Sequence, residues 1–274
     1  MNSNNARTLF VLIVIAVFFS PLGSNKTLSA ASSGEPEKPR ALKIVIDPGH
    51  GGKAPGGVGP QGQKEKDITL EVGRLLAKRL SDEGVEVLLT RDSDIYMPLE
   101  DRTAFANRHK ADLFVSIHVN ATEASYRDGV ETYFLNLTTD ASSNTVAERE
   151  NAMSSSSMKG LQLIIKDLML NARINESSRF ATFTQNAIIS SLRKTGYTGK
   201  DLGVKQAPFY VLMGAQMPAI LIETGFITNP ADCMLLHDNA HLETIVDGIM
   251  GGIKTFTTNS TYVYNNGLHE HEGP

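Results

Sequence analysis

The residues that could do chemistry in this 274-residue chain are two histidines and two glutamates, each standing where an apolar run gives way to polar or glycine-bearing sequence. His50 follows Ile44-Val45-Ile46-Asp47-Pro48-Gly49, where glycines let the backbone turn sharply and leave the imidazole uncrowded. His118 closes the run that ends Ser116-Ile117, Glu223 follows Ala219-Ile220-Leu221-Ile222, and Glu65 opens a helical pattern just after a glycine-rich loop. Two imidazoles and one carboxylate make a three-ligand set for Zn2+ that leaves a fourth tetrahedral position for water, the arrangement of a hydrolytic rather than a structural site. The remaining carboxylate can take a proton as water attacks a carbonyl and pass it to the leaving amine. Zinc would lower the pKa of that water to roughly 7 and polarise the carbonyl. Each residue alone has a plainer reading, as a hydrogen-bonded structural histidine or a solvated glutamate. The pattern gains weight because the four sit on separate elements that one sheet edge can collect.

The elements that must position them are legible as hydrophobic runs. Leu42–Ile46, Val85–Leu89, Leu113–Ile117 and Ala219–Ile222 are short, apolar and rich in β-branched residues, as buried strands require, and further strands are expected at Gly129–Leu135 and Phe209–Leu212. Helical stripes lie between them: Ile68, Val72, Leu75, Leu76 and Leu80; Phe180, Phe183, Ala187, Ile188 and Leu192; and Leu242, Ile245, Val246, Ile249, Met250 and Ile253, which stop before a polar tail at Thr257. The alternation predicts an α/β fold, a single domain over residues 41–258 with a largely parallel central sheet flanked by helices on both faces. Ligands of such sheets gather outside the carboxyl ends of the strands, where His50, His118 and Glu223 fall. Residues 138–175 break the alternation as an insert, with four serines at Ser154–Ser157 and an amphipathic stripe over Leu161, Ile164, Ile165, Leu168 and Met169.

Composition bounds the rest. With 41% hydrophobic and 20% charged residues the chain can bury a real core, which excludes wholesale disorder. Arg7, the apolar run Leu9 to Phe19 and small residues near Ala30 and Ala31 read as an export signal over residues 1–31, too short in its apolar part to span a bilayer, with an uncleaved anchor as the rival reading. Residues 32–40 read as a linker and 259–274 as a polar tail. The expected location is therefore outside the cytoplasm, in the periplasm or cell envelope. Loss of Arg7 and Lys26 with the signal takes the formal charge from −4 to about −6, against nucleic acid as a partner. Cys233 is the one cysteine, which rules out an internal disulfide and multi-cysteine zinc sites, so a metal here needs nitrogen and oxygen ligands. A monomer is expected.

Beyond these features the sequence resembles the zinc N-acetylmuramoyl-L-alanine amidases of the type-3 family over about Leu42 to Phe256. The resemblance rests on IVIDPGHGG at 44–52, GPQGQKEKDITL at 59–70, LTRDSD at 89–94, LEDRTAFAN at 99–107, SIHVNA at 116–121 and ILIETGFITNPAD at 220–232. It implies that His50, Glu65 and His118 hold zinc and that Glu223 is catalytic. The implied reaction is hydrolysis of the amide between the lactyl group of N-acetylmuramic acid and L-alanine in peptidoglycan, in wall remodelling or daughter-cell separation. Ala54 stands where the family often has an acidic residue, which puts one supporting contact in doubt. Arg91 and Arg102 also match family positions, either anchoring an acidic stem peptide or tying helix to sheet. The insert is similar to that of division-associated amidases, in which a helix blocks the site until an activator, here of the LytM-domain type, displaces it. That likeness implies that Val146 to Met153 covers the zinc, with Glu148 or Glu150 at the open position. Two readings compete: a wall-binding protein without catalysis, and a zinc peptidase cutting within the stem peptide. The tail residues His269 and His271 read as solvated, and no substrate-binding residue is singled out.

Overall fold

Alternating burial builds the sheet. In β1 (Lys43–Pro48), Ile44 and Ile46 face one core while Val45 faces the other. In β3 (Leu113–Asn120), Leu113, Val115, Ile117 and Val119 face the first core and Phe114 the second. In β6 (Ala219–Phe226), Ile220 and Ile222 oppose Leu221. A strand buried on both faces needs apolar residues at every position, and this is why these runs are continuous rather than alternating. Each fully buried Ile, Leu, Val or Phe contributes roughly 1.5–3 kcal/mol.

The computed structural model describes residues 40–152 and 173–259. The expected export signal at 1–31, the linker at 32–40 apart from Arg40, Ser154–Ser157, the stripe Leu161–Met169 and the tail beyond Asn259 lie outside the described residues. The sheet has six strands in the order β2-β1-β3-β6-β4-β5, with β2 at Glu86–Leu89, β4 at Val130–Leu135 and β5 at Asp201–Ala207. The first four in that order run parallel, β4 is antiparallel to β6, and β5 is parallel to β4. Helices α1 (Glu65–Asp82), α4 (Ile174–Lys194) and α6 (Asn239–Asn259) cover one face, and α2 (Leu99–Arg108) and α3 (Ala141–Asn151) the other; the short α5 (Pro230–Leu235) follows β6. Among the described residues no helix is long and apolar enough to cross a membrane.

Three details differ from the sequence reading. Phe209–Leu212 is not a strand: Tyr210–Leu212 form a 3-10 turn after Pro208, wholly buried, and a four-residue apolar run carries no periodicity that separates the two. The edge strand β5 was unforeseen, because Asp-Leu-Gly-Val-Lys-Gln-Ala is half-exposed and polar along much of its length. The last helix continues past Thr257 to Asn259, its threonine hydroxyls bonding back to the carbonyls of Ile253 and Lys254.

Candidate metal centre and active site

The strand order sets β1, β3 and β6 side by side, so the segments leaving them share one edge. His50 takes φ 59°, a left-handed conformation that costs a non-glycine residue on the order of 1–2 kcal/mol. A buried network holds it there. Asp47 accepts from Thr90 Oγ1 at 2.6 Å, Arg102 Nη1 at 2.8 Å and Ser116 Oγ at 2.7 Å. Arg102 Nη2 donates to the His50 carbonyl at 2.8 Å, and Arg91 donates to the carbonyls of Pro48, Gly49 and Lys66. Both arginines are buried, Arg91 bonded to backbone carbonyls and Arg102 to Asp47 and backbone carbonyls, and so they tie the segments around His50 together. Burial works against the charge on Asp47, but Arg102, Thr90 and Ser116 outweigh it and hold its pKa below the ordinary value. The glycines leave room for the ligands: a Cβ on Gly49 would stand 2.5 Å from the His118 ring, and one on Gly56 2.5 Å from Glu65 Oε2.

The result is a tight cluster. Glu65 Oε1 lies 3.1 Å from His50 Nε2 and 3.0 Å from His118 Nδ1. Backbone amides fix that carboxylate, Gly57 N donating to Oε2 at 2.7 Å and Val119 N to Oε1 at 2.9 Å. A fourth donor comes from α3: Glu150 Oε2 is 3.0 Å from His50 Nε2 and 2.9 Å from His118 Nδ1. One ligand atom from each of the four residues lies within 4.8 Å of all the others. Donors around a zinc at roughly 2.1 Å stand about 3.4 Å apart, so the set closes to the right size. Moreover His50 Nε2 and Glu150 Oε2 are buried and near each other without making a hydrogen bond. A cation shared between them would satisfy both atoms.

The charges agree. Burial lowers the His50 pKa, but Glu65 and Glu150 outweigh it and raise it to about 9. His118 is likewise raised by Glu150 and Glu65 against its burial. Burial pushes Glu65 up, yet the histidines hold it at about 2. A divalent cation would take over this balancing role and leave the imidazoles neutral, as ligands must be.

Glu223 pairs in register with His118 across β3 and β6, one strand spacing of about 4.8 Å away. It is fully buried and neither oxygen has a hydrogen-bond partner among the described residues. Burial and the Glu150 charge push its pKa well up against the pull of Arg149. The side chain therefore favours taking up a proton.

Helix α3 lies against this site. Asp140 caps it by accepting from Ser143 N at 2.9 Å, and Val146 and Ala147 pack on the sheet. Its last residues dock: Arg149 bonds Asn120 Oδ1, the Ala121 carbonyl and Glu150, and its Nη2 lies 3.7 Å from Glu223 Oε1. Asn151 Nδ2 donates to the Pro208 carbonyl at 2.9 Å while its Oδ1 accepts from Tyr210 N at 2.8 Å. Glu148, the other carboxylate considered for this place, is exposed and outside the cluster.

The sequence reading passed over Arg149 and the pair Glu131–Lys205. Glu131 is buried directly opposite Glu223 across β4 and β6, bonded by Lys205 Nζ at 2.6 Å, Asn120 Nδ2 at 2.6 Å and Tyr133 Oη at 2.9 Å. A glutamate inside the apolar run Val130–Leu135 was the available signal. His109 and His237 bond the carbonyls of Phe105 and Cys233, His241 lies beside Tyr197, and Cys233 is buried and free, all outside the cluster.

Known proteins share the sequence and the fold of this chain. A family model described as N-acetylmuramoyl-L-alanine amidase matches residues 44–255. The chain is 32% identical over 231 residues to N-acetylmuramoyl-L-alanine amidase AmiA of Escherichia coli K12, covering 80% of this chain and 79% of that one. It is 32% identical over 237 residues to AmiC of Escherichia coli O6:H1, covering 83% of this chain but 56% of AmiC, so it spans about half the length of that relative. The crystal structure of N-acetylmuramoyl-L-alanine amidase from Clostridium difficile 630 superposes with a TM-score of 0.63 at 29% identity, over 80% of this chain and 98% of that one.

Proposed function

The chain belongs to the N-acetylmuramoyl-L-alanine amidase family, and from that premise we propose that it hydrolyses the amide between the lactyl group of N-acetylmuramic acid and L-alanine in peptidoglycan. His50, Glu65 and His118 would hold zinc, with Glu223 as general base and then general acid. The observation that carries this reading is the convergence of three donor atoms at about 3 Å beside a buried, unpartnered carboxyl on the next strand. Zinc, when bound, supplies a Lewis acid for the carbonyl and makes hydroxide available near neutral pH. Glu223 takes the proton of the attacking water and returns it to the departing L-alanine nitrogen. Its burial suits both steps, since a carboxyl in a dry pocket has the raised pKa a proton carrier needs. The amides of Gly57 and Val119 keep Glu65 from swinging toward the substrate.

We read the site as closed, a reading supported by Glu150 at the fourth donor position and by Arg149 beside Glu223. Helix α3 would be an autoinhibitory element, displaced by an activator protein of the LytM-domain type during wall remodelling or daughter-cell separation. The enzyme would act as an exported protein of the periplasm or cell envelope.

Mass spectrometry of muropeptides released from purified sacculi tests the reaction, with Glu223→Ala and a chelator as controls. Peptides with a free L-alanine amine and glycan with intact muramic acid are expected, and both controls should be silent. Glycan that still carries L-alanine would instead mean a peptidase. Removing residues 142–172 should raise the rate of release; no gain would defeat the closed-state reading.

A further inference from the structure

Arg91 is buried on backbone carbonyls and Arg102 on Asp47 and backbone carbonyls, which leaves neither free to meet an acidic stem peptide. Beside Glu223 and beneath α3 is a polar cavity of about 110 Å³, lined by Asn120, Arg127, Glu131, Lys205, Phe226 and, from that helix, Arg149. Lys205 is neutralised by Glu131 at 2.6 Å, and Arg149 by Glu150. Arg127 differs. Its guanidinium stands 5.8 Å from the centre of the Phe226 ring, and no hydrogen bond or ion pair to it is found among the described residues.

The loop that carries Arg127 is pinned at several points. Asn229 Nδ2 donates to the Ser125 carbonyl at 3.0 Å, Thr122 N to Thr228 Oγ1 at 3.1 Å, and Arg127 N to the Ala124 carbonyl at 3.0 Å. A held, uncompensated guanidinium in a groove is preorganised for a carboxylate, which it can grip through two parallel hydrogen bonds. The groove also lies in the right place. Glu131 is the residue directly across from Glu223, so the cavity begins one strand, about 4.8 Å, from Glu223. A peptide advances at most about 3.6 Å per residue, which brings the residue after L-alanine to this groove.

We infer that Arg127, on the β3–β4 loop, is a specificity-determining residue that binds the free carboxylate of the acidic residue following L-alanine in the stem peptide, with the Glu131–Lys205 pair as the floor of that subsite. The inference rests on the amidase reading above. The ring of Phe226 lies within cation–π range of the guanidinium. Because α3 supplies Arg149 to the same cavity, its departure would open the subsite together with the metal centre.

The test uses the full chain, with and without Glu150→Ala, on two N-acetylmuramoyl peptides that differ only at the residue after L-alanine. One carries a free α-carboxylate there and the other a carboxamide. Arg127→Gln should raise KM for the acidic substrate about tenfold with kcat nearly unchanged, and leave the carboxamide substrate alone. Arg127→Lys should recover part of the loss. Equal effects on both substrates would reduce Arg127 to a structural residue, and no effect on either would remove it from the subsite. If the parent protein cleaves neither substrate in either background, the amidase reading fails and this inference falls with it.

Discussion

The wall of the site that carries His50, Glu65 and His118 grows out of the sheet, whereas the wall that carries Arg149 and Glu150 is a short helix laid over it. On the sheet side a fully buried ion pair, Arg102–Asp47 at 2.8 Å, locks the turn that presents His50, and backbone amides fix Glu65. On the helix side the contacts are a cap at Asp140, two small apolar residues and the polar ends of Arg149, Glu150 and Asn151. Similar donor atoms are thus delivered by segments locked into the core and by a helix docked largely through polar contacts at its end. What separates them is what lies behind each donor.

The sharpest way to break this comparison is at Glu223, which belongs to the sheet wall but has no hydrogen bond of its own among the described residues. Glu223→Ala should cut turnover on sacculi by about 10²–10⁴-fold while circular dichroism stays unchanged. Retention of even a tenth of the activity would remove it from the chemistry. The sheet wall itself should be costly to damage: Arg102→Ala leaves Asp47 buried without its partner and should lower stability by about 3–5 kcal/mol in urea unfolding. A loss under about 1 kcal/mol would mean that the turn has other support. The helix wall should respond in the opposite sense. Asn151→Ala removes two hydrogen bonds to the segment 208–210, and it should raise basal release several-fold with little change in global stability. A fall in activity would place α3 among the substrate-binding elements instead.

The smallest effect is one of pH. Asp47 has a folded-state pKa below its ordinary 3.8, so its contribution is complete above that value and disappears as pH falls through the folded pKa. Urea midpoints between about pH 6 and pH 2 should therefore drop more steeply for the parent than for Asp47→Asn. Parallel curves would show that the network does not depend on that charge.

Much of the sheet wall was legible because its signals are local. Ile44-Val45-Ile46 must be a strand buried on both faces, and a glycine-flanked histidine at its exit can only project from the edge. Glu223 was found in the same way. The helix wall was half legible, since Glu148 and Glu150 are two residues apart and so lie about 200° apart around a helix. Choosing between them needs the helical phase, which is set by the burial of Val146 and Ala147 on the side that also carries Glu150. Arg149 and Glu131 were missed for another reason. Their roles are defined by partners such as Asn120 and Lys205, far away in sequence and joined only by the fold.

The length of α3 has a consequence of its own. Eleven residues fall short of the roughly 12–15 that an isolated helix needs to persist in water. Were α3 lifted from the sheet, as the proposed closed-state reading requires, this segment would unwind as it left and lose the order that holds Glu150 and Arg149 over the other donors.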